Sequence, residues 1–480
     1  MIKIFTPLFI VFIAVSTYAQ HKEYFPDSSS IIKQKLEDWQ DLKFGLLMHW
    51  GPYSQWGIVE SWSICPEDLS WAAYGRKKGI SEKYDDYVKA YEQLQLSFNP
   101  IKFNPELWAN AASDAGMKYV VFTTKHHDGF CMYDSKYTNY KITDIATPFH
   151  GNHRSDITKE IFKAFRKKKF WTGAYFSKPD WHSDNYWWKF FPPSDRNCNY
   201  AITKYPERWK KFVDYTHHQI LELVQDYGKL DILWLDGGWV RKTDSSEIVK
   251  YLSETYEGSR WARNPQNQDI QMDTLVKHVR AIQQDILVVD RAVTGPYQNY
   301  LTPEQHIPEE GLPYPWETCM TMATSWSYVP NDVYKSSDDL IEKLVDIVSK
   351  GGNLLLNIGP SPEGTWDSVA YKRLQDIGRW MKRNGEAIYA TRKFNYFMED
   401  SSIHFTQSKD HKQVYILFSN EPTQPLTLSK LPYKKGMKAT WLHSGDAIEL
   451  SNETGNTRIN CNPKKKINGE YVWVLKISNT

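Results

Sequence analysis

Polar side chains stand at the ends of several short apolar segments in this chain. The segment Leu233-Trp-Leu235 ends at Asp236, and two glycines follow it. Such a segment would deliver a carboxylate to a strand tip, and the glycines would let a ligand approach the backbone closely. Similar segment ends carry the polar residues His49, His126, His127, Asp128, Tyr175, Asp236 and Arg291. Carboxylates, imidazoles and nearby indoles suit a carbohydrate, whose hydroxyls need directional partners and whose C–H faces need flat apolar ones.

Each of these side chains also has a structural interpretation. Asp236 could form a turn with Gly237, and the adjacent histidines could be core residues with satisfied partners. Trp234 and Tyr175 lie inside apolar segments, where packing is the commoner role. The individual residues therefore leave packing and ligand binding open.

The elements that carry these residues alternate between strand-like and helical patterns. Helical spacing follows Asn104-Pro105 and Ser336-Ser337, which are typical helix starts. The strand-like runs are nearly all apolar, as in parallel sheets buried on both faces. They cover residues 44–49, 118–124, 171–176, 230–235, 285–289 and 353–358. This alternation predicts a (β/α)8 barrel, in which chemistry sits at the carboxyl ends of the strands.

The pattern changes near residue 391. Runs at 413–419, 439–442 and 470–477 are strand-like and are separated by turn residues, without a clear helical pattern. We expect a catalytic barrel over residues 20–390 and a small antiparallel β-sandwich over 391–480.

Residues 1–19 have the pattern of a secretory signal. Lys3 precedes a mostly apolar run from Ile4 to Val15, and Thr17-Tyr-Ala19 offers a cleavage site after Ala19. Elsewhere no apolar run is long enough to cross a membrane. We therefore expect a soluble, exported protein, periplasmic or extracellular.

Composition excludes several classes of partner. The 480 residues include 59 Lys and Arg against 57 Asp and Glu, so there is no basic field for nucleic acid. The five cysteines are scattered without a Cys-x-x-Cys pair, which favours buried thiols over a zinc site. We expect no metal, no other cofactor and no membrane association, and the oligomeric state is not determined by the sequence. Aromatic residues reach 15%, including 20 Trp, more than a core requires.

The order of the motifs makes the interpretation specific. Together they resemble a retaining α-L-fucosidase of glycoside hydrolase family 29, over nearly the whole barrel. The matching stretches are Phe44-Gly-Leu-Leu-Met-His-Trp-Gly51, Val59-Glu-Ser-Trp62, Phe122-Thr-Thr-Lys-His-His-Asp-Gly-Phe130, Ala174-Tyr-Phe-Ser177, Leu233-Trp-Leu-Asp-Gly237, Asp290-Arg291, Thr302-Pro-Glu304, Pro315-Trp-Glu-Thr-Cys319 and Gly351-Gly-Asn-Leu-Leu-Leu-Asn-Ile-Gly-Pro360.

The resemblance implies two catalytic carboxyl groups. It makes Asp236 the nucleophile and Glu304 the acid/base, with Glu309, Glu310 and Glu317 as alternatives for the second role. Of these, Glu317 is expected behind the site and the other two in solvent. Retention requires one ionised and one protonated carboxyl about 5–5.5 Å apart.

The resemblance also implies a fucose pocket. His49, Glu60, His126, His127 and Tyr175 would bond sugar hydroxyls, with Arg291 beside Asp236. The remaining implied residues are aromatic: Trp234 and Trp326 would wall the methyl group, and Trp62 would add a stacking face.

These residues predict hydrolysis of terminal α-L-fucose from a glycan through a covalent intermediate. A metal-dependent hydrolase on the same barrel is one alternative, although such barrels usually carry His-x-His after the first strand, where His49 here precedes Trp50. A non-catalytic fucose-binding relative is another, and the linkage cleaved stays open.

Overall fold

The computed structural model describes residues 24–66, 76–254, 266–461 and 469–478. The expected signal at residues 1–19 lies outside them. In the described part of the chain, no helix is both long and apolar enough to cross a membrane. All five cysteines are buried thiols.

A parallel sheet of seven strands forms the centre of the first part of the molecule. Its spatial order is β5-β4-β3-β2-β1-β7-β6. The apolar runs in the sequence form six of these strands, and they are buried because helices cover the sheet. The bounds are β1 Phe44–Met48, β2 Tyr119–Lys125, β3 Trp171–Ser177, β4 Ile232–Asp236, β5 Leu287–Asp290, β6 Glu317–Thr321 and β7 Asn353–Asn357.

Helices alternate with these strands. The side chain of Asn104 accepts a hydrogen bond from Leu107 N, and that of Ser336 accepts one from Asp339 N, so both helix starts expected from the sequence are capped. The helices are α1 Ser30–Leu42, α2 Tyr84–Glu92, α3 Pro105–Asp114, α4 Ile157–Lys167, α5 Pro206–Asp226, α6 Ser245–Glu254, α7 Met272–Ile282, α8 Ser337–Ser349 and α9 Ser368–Asn384.

An irregular segment, residues 298–305, occupies the gap between β5 and β6. Gln298 bridges Val289 of β5, while Glu304 forms a parallel bridge with Cys319 of β6. Cys319 N donates to Pro303 O at 3.1 Å, and Gln305 N donates to Cys319 O at 2.9 Å. The expected eighth strand is thus replaced, in the described residues, by isolated bridges that join the two edges of the sheet.

The strands from Thr391 onward are antiparallel. They form a six-stranded sheet in the order β13-β12-β16-β10-β9-β8 and a three-stranded sheet in the order β11-β15-β14. Their bounds are β8 Thr391–Asp400, β9 Ile403–Ser408, β10 Gln413–Phe418, β11 Leu426–Pro432, β12 Lys438–Trp441, β13 Ala447–Ile448, β14 Leu450–Glu453, β15 Asn456–Ile459 and β16 Trp473–Ser478.

The six-stranded sheet packs directly on the barrel helices. Leu417 and Val474 belong to the same buried cluster as the apolar faces of α8 and α9. Trp380 of α9 donates from Nε1 to Val472 O at 2.8 Å. The opposite face of the sheet has its own core, which includes Ile416 and Trp441.

Candidate active site

Asp236 lies at the carboxyl end of β4, where the sequence predicts it. Its Oδ2 accepts a hydrogen bond from Tyr175 Oη at 2.6 Å, and its Oδ1 accepts one from Arg291 Nη1 at 3.1 Å. Burial opposes the ionised form, but the Arg291 charge and the Tyr175 hydrogen bond hold the pKa of Asp236 well below its usual value. Asp236 is therefore an ionised carboxylate at neutral pH.

Arg291 joins the two carboxylates predicted to carry the chemistry. Its Nη1 contacts Asp236 and its Nη2 contacts Glu304. The Asp236 side chain is 14% exposed and that of Glu304 is 40% exposed. One carboxylate is thus sheltered, while the other stands at the open rim of the same site.

The position of Glu304 follows from the irregular segment. Its backbone pairs with Cys319 on β6, so the residue is attached to the barrel rim rather than placed on a free loop. The other three acids differ: Glu309 and Glu310 are exposed, and Glu317 is fully buried. Among the four, Glu304 is the one bonded to the residue that holds Asp236.

Glu317 lies below the site, inside the barrel. Its Oε2 accepts from Tyr119 Oη at 2.6 Å, and its Oε1 lies 3.4 Å from Trp234 Nε1. Burial raises the pKa of Glu317 to about 8. The carboxyl group is mainly protonated at neutral pH and supports Trp234 from behind.

Trp234 is 2% exposed and supports the residues around Asp236. Its ring stacks on Tyr175 with centroids 5.2 Å apart, and the Arg291 guanidinium lies 5.3 Å from its centroid. Both neighbours bond Asp236, so the indole helps to fix them in place. Its predicted contact with the fucose methyl group stays a prediction.

His49 is oriented by a residue outside the predicted set. Asn357, the last residue of β7, accepts through Oδ1 from His49 N at 3.1 Å and lies 2.9 Å from His49 Nδ1. Burial lowers the pKa of His49 to about 4, so the ring is neutral at pH 7. With Nδ1 donating to Asn357, Nε2 is left as an acceptor for a hydroxyl. Asn357 ends an apolar strand, and the same strand-end pattern would have identified it.

His126 and His127 lie beside each other at the end of β2. The Ser61 hydroxyl contacts Nδ1 of His126, and Nε2 of His127 lies 3.8 Å from Asp236 Oδ2. Burial lowers the pKa of His127 to about 3 and also lowers that of His126 well below its usual value. The His126 ring is nearly parallel to that of Tyr175, with centroids 5.7 Å apart. These neutral imidazoles form one continuous wall with Tyr175.

Trp62 stands at the rim, next to His127. Their ring centroids are 5.2 Å apart, and Trp62 also contacts Trp181 and Trp239 at 5.2 and 5.7 Å. The Arg196 guanidinium lies 4.7 Å from the Trp62 ring centroid. Neither Trp181 nor Arg196 belongs to a strand-end motif, so the sequence alone does not single them out.

Glu60 and Trp326 lie on the other side of His49. Glu60 is 3% exposed, and its Oε1 accepts from Ser327 N at 3.0 Å. Burial raises the pKa of Glu60 to about 7. The Trp326 ring centroid is 5.0 Å from that of His49. The structure thus gathers all eleven predicted residues into one group around the carboxyl end of the barrel.

Possible metal ligands are not clustered in the described residues. No group of three or more His, Cys, Asp or Glu side chains there has the geometry to hold a metal ion.

Comparison with known proteins places this arrangement in a family. The family model for α-L-fucosidase matches residues 11–386. Tissue α-L-fucosidase of Macaca fascicularis is 30% identical over 95% of this chain and 92% of its own. Human plasma α-L-fucosidase is 29% identical over 83% of this chain and 79% of its own.

Solved structures agree with the sequence matches. α-L-Fucosidase isoenzyme 1 from Paenibacillus thiaminolyticus has a TM-score of 0.74 and 27% identity, covering 94% of this chain and 99% of its own. The Thermotoga maritima α-fucosidase in complex with a mechanism-based inhibitor has a TM-score of 0.71 and 26% identity, covering 95% and 100%. Since the family match spans most of the chain and includes the site, the protein is a glycoside hydrolase that belongs to the α-L-fucosidase family, family 29.

Proposed function

We propose that this enzyme removes terminal α-linked L-fucose from glycans with retention, using Asp236 as nucleophile and Glu304 as acid/base. The observation that carries the assignment is the single guanidinium, Arg291, that contacts both carboxylates at the barrel rim. Family membership and the fucose complex of the Thermotoga maritima relative support the choice of sugar.

In the first step the Asp236 carboxylate attacks the anomeric carbon. The bond from that carbon to the leaving oxygen breaks, and this oxygen takes a proton from Glu304. Glu304 pairs with Arg291 in the free enzyme, so it has to leave this partner and take up a proton from solvent before it can donate to the glycosidic oxygen. Arg291 and Tyr175 can keep their bonds to Asp236 until its charge is consumed.

In the second step Glu304, now ionised, removes a proton from water. The resulting hydroxide equivalent attacks the anomeric carbon, and the Asp236 carboxylate leaves with the electron pair of the ester bond. Two inversions at one carbon release fucose in the α configuration. The neutral imidazole of His49 would accept a hydrogen bond from a sugar hydroxyl throughout, and that of His126 would donate or accept one according to its tautomer.

Azide rescue of two variants tests the roles separately. Asp236→Gly should lose at least about 1,000-fold in kcat on an aryl fucoside, and azide should restore turnover to β-fucosyl azide because only one displacement remains. Glu304→Ala should be rescued to α-fucosyl azide, since the covalent intermediate still forms.

Glu309→Ala and Glu310→Ala are the matched controls, because both acids are exposed. Turnover at the wild-type rate by Asp236→Gly would refute the nucleophile, and full activity of Glu304→Ala on poor leaving groups would move the acid elsewhere. Unchanged turnover after exhaustive chelation is expected, and loss of activity would favour the metal-dependent alternative.

We also infer export of the enzyme. The positively charged Lys3, the apolar run that follows it and the small residues before Ala19 support a cleaved signal. N-terminal sequencing of protein purified from the native cells should begin at Gln20, and a chain that retains Met1 would contradict export.

A further inference from the structure

A cleft of about 630 Å³ opens beside the predicted fucose pocket. It runs between two segments, 56–60 and 324–329, and it shares Glu60 and Trp326 with the site. Its volume lies within the roughly 300–1,000 Å³ range of pockets that hold small ligands. A molecule in the cleft would therefore be next to a sugar bound at His49.

Three consecutive cations line one wall of the cleft. Arg76, Lys77 and Lys78 are all exposed there. Arg76 donates to the carbonyl oxygens of Ser63 and Cys65 at 3.2 and 3.3 Å, and Lys77 Nζ donates to Trp56 O at 2.9 Å. These contacts fix two of the side chains without neutralising them.

Acidic side chains near the cleft are already engaged. Glu60 is the one acid among the described lining residues, and it is buried against Ser327 N. Asp332 lies behind the wall, where it contacts the Thr324 hydroxyl and accepts from Ser325 N at 3.0 Å. Within the described part of the chain, no carboxylate forms an ion pair with the three cations, so the described lining of the cleft carries net positive charge.

The cleft is continuous with the site through Glu60 and Trp326, so it can receive the part of a substrate that extends beyond a sugar bound at His49. Trp326 has one ring contact with His49 and also faces the cleft. The charge of Glu304 is close enough to Glu60 to contribute to its raised pKa, after burial. Glu60 thus links the cleft to the group of residues that includes the proton donor.

We propose that this cleft binds the leaving group and selects one that carries an anionic substituent, a sulfate ester or a carboxylate. The inference rests on the proposed function, because it needs fucose at His49 to place the rest of the substrate. The three cations form a positively charged wall against which a neutral sugar gains no ionic contact. An acidic group placed there gains charge-assisted hydrogen bonds.

The test compares three α-L-fucosides that share one disaccharide leaving group: the neutral parent, its sulfate ester and its uronic acid form. The kcat/KM of one or both charged substrates should exceed that of the parent by about fivefold at low salt, as two or three exposed ion pairs would give. The advantage should shrink in 0.5 M NaCl because salt screens exposed charges. A gain with the sulfate alone identifies sulfate as the group selected, and a gain with both identifies any anion.

Charge reversal at two lysines tests whether the preference for charged substrates arises in the cleft. In the double variant Lys77→Glu/Lys78→Glu the ratio of charged to neutral kcat/KM should fall below one, and in the glutamine pair it should approach one. Arg76 is left in place because its carbonyl contacts hold the wall. The control Lys211→Glu/Lys277→Glu changes the net charge equally at exposed positions outside the cleft and should keep the wild-type ratio.

Two outcomes would overturn this inference while leaving the proposed function intact. In the first, the wild-type enzyme cleaves all three substrates with equal kcat/KM. In the second, the cleft variants keep the preference of the wild type for the charged substrates. Absence of fucose release from the neutral parent and from aryl fucosides would instead be a failure of the proposed function.

Discussion

Tyr175 is one of the side chains that stabilise the ionised form of Asp236, together with Arg291 and His127. Its 2.6 Å hydrogen bond stabilises the ionised carboxylate, and the pKa of Asp236 is lowered by Arg291, by His127 and by this bond against the effect of burial. Hydrogen bonds to charged groups contribute about 1.5–3 kcal/mol. The bond also fixes the orientation of the carboxylate.

Tyr175→Phe should therefore raise the pKa of Asp236 and lower kcat by about tenfold. A group with a lowered pKa is ionised above that pKa, so the acidic limb of kcat/KM against pH should move to higher pH. Tyr396→Phe, at an exposed tyrosine, is the control and should leave the profile unchanged. An acidic limb that stays in place in Tyr175→Phe would show that the bond does not tune Asp236.

Glu60 should make substrate binding depend on pH near neutrality. Burial raises its pKa to about 7, so the carboxyl group is mainly protonated below that pH and ionised above it. The protonated form can donate to a sugar hydroxyl, whereas the ionised form can only accept. The KM of an aryl fucoside should thus rise several-fold between about pH 6 and 8.

Glu60→Gln keeps a donor at every pH, so its KM should stay flat over the same interval. The exposed Glu309→Gln should reproduce the wild-type rise. A rise of equal size in Glu60→Gln would assign the transition to another group.

At the scale of elements, the strand tips were predictable and the closure of the barrel was not. Apolar runs predict six of the seven strands of the parallel sheet because both faces of a parallel strand are buried. β6 gives no apolar run, because Glu317-Thr-Cys-Met-Thr321 is largely polar. Its glutamate is bonded inside the barrel by Tyr119 and Trp234. Residues 298–305 give no strand pattern because Pro303 and isolated bridges replace a regular ladder.

The residues of the site also divide into those that the sequence predicts and those that it does not. Histidines and Asp236 follow from strand ends, and Glu304 follows from the family resemblance, not from any pattern of its own. Partners such as Ser61 were not predictable, since they reach His126 from a distant segment and have no motif.

The turn after β4 fixes the direction of the Asp236 side chain. Gly237 has a φ of +89°, and a Cβ at this position would collide with the ring of Pro179. Gly237→Ala would have to shift the turn, so both stability and kcat should fall, with kcat lower by at least about 100-fold because small misplacements are costly.

Gly436→Ala separates the two effects, since its φ of +94° is similar but no atom of the described residues lies within 4 Å of the added Cβ. It should cost about 1 kcal/mol of unfolding free energy and leave kcat unchanged. Chemical denaturation together with steady-state kinetics gives both quantities, and a Gly237→Ala enzyme with wild-type kcat would contradict the positional role.

At the scale of the whole molecule, the C-terminal sheets and the barrel share buried surface. β10 contributes to both cores: Leu417 packs in the barrel cluster, and its neighbour Ile416 packs in the core between the C-terminal sheets. Further contacts include the hydrogen bond from Trp380 to Val472 and the ion pair between Lys476 and Glu386. The barrel would expose apolar surface without these sheets.

Because one strand carries both cores, the barrel and the C-terminal sheets should unfold together. Leu417 and Ile416 are both fully buried, so Leu417→Ala and Ile416→Ala should each cost about 2–5 kcal/mol. Each variant should lower the midpoint of thermal inactivation and the midpoint of the tryptophan fluorescence change by the same amount. If Ile416→Ala instead produced an early fluorescence transition while fucosidase activity kept the wild-type midpoint, the sheets would unfold independently. In that case only Leu417→Ala should lower the midpoint of thermal inactivation. The comparison of these two neighbouring residues of β10 therefore distinguishes joint unfolding from independent unfolding.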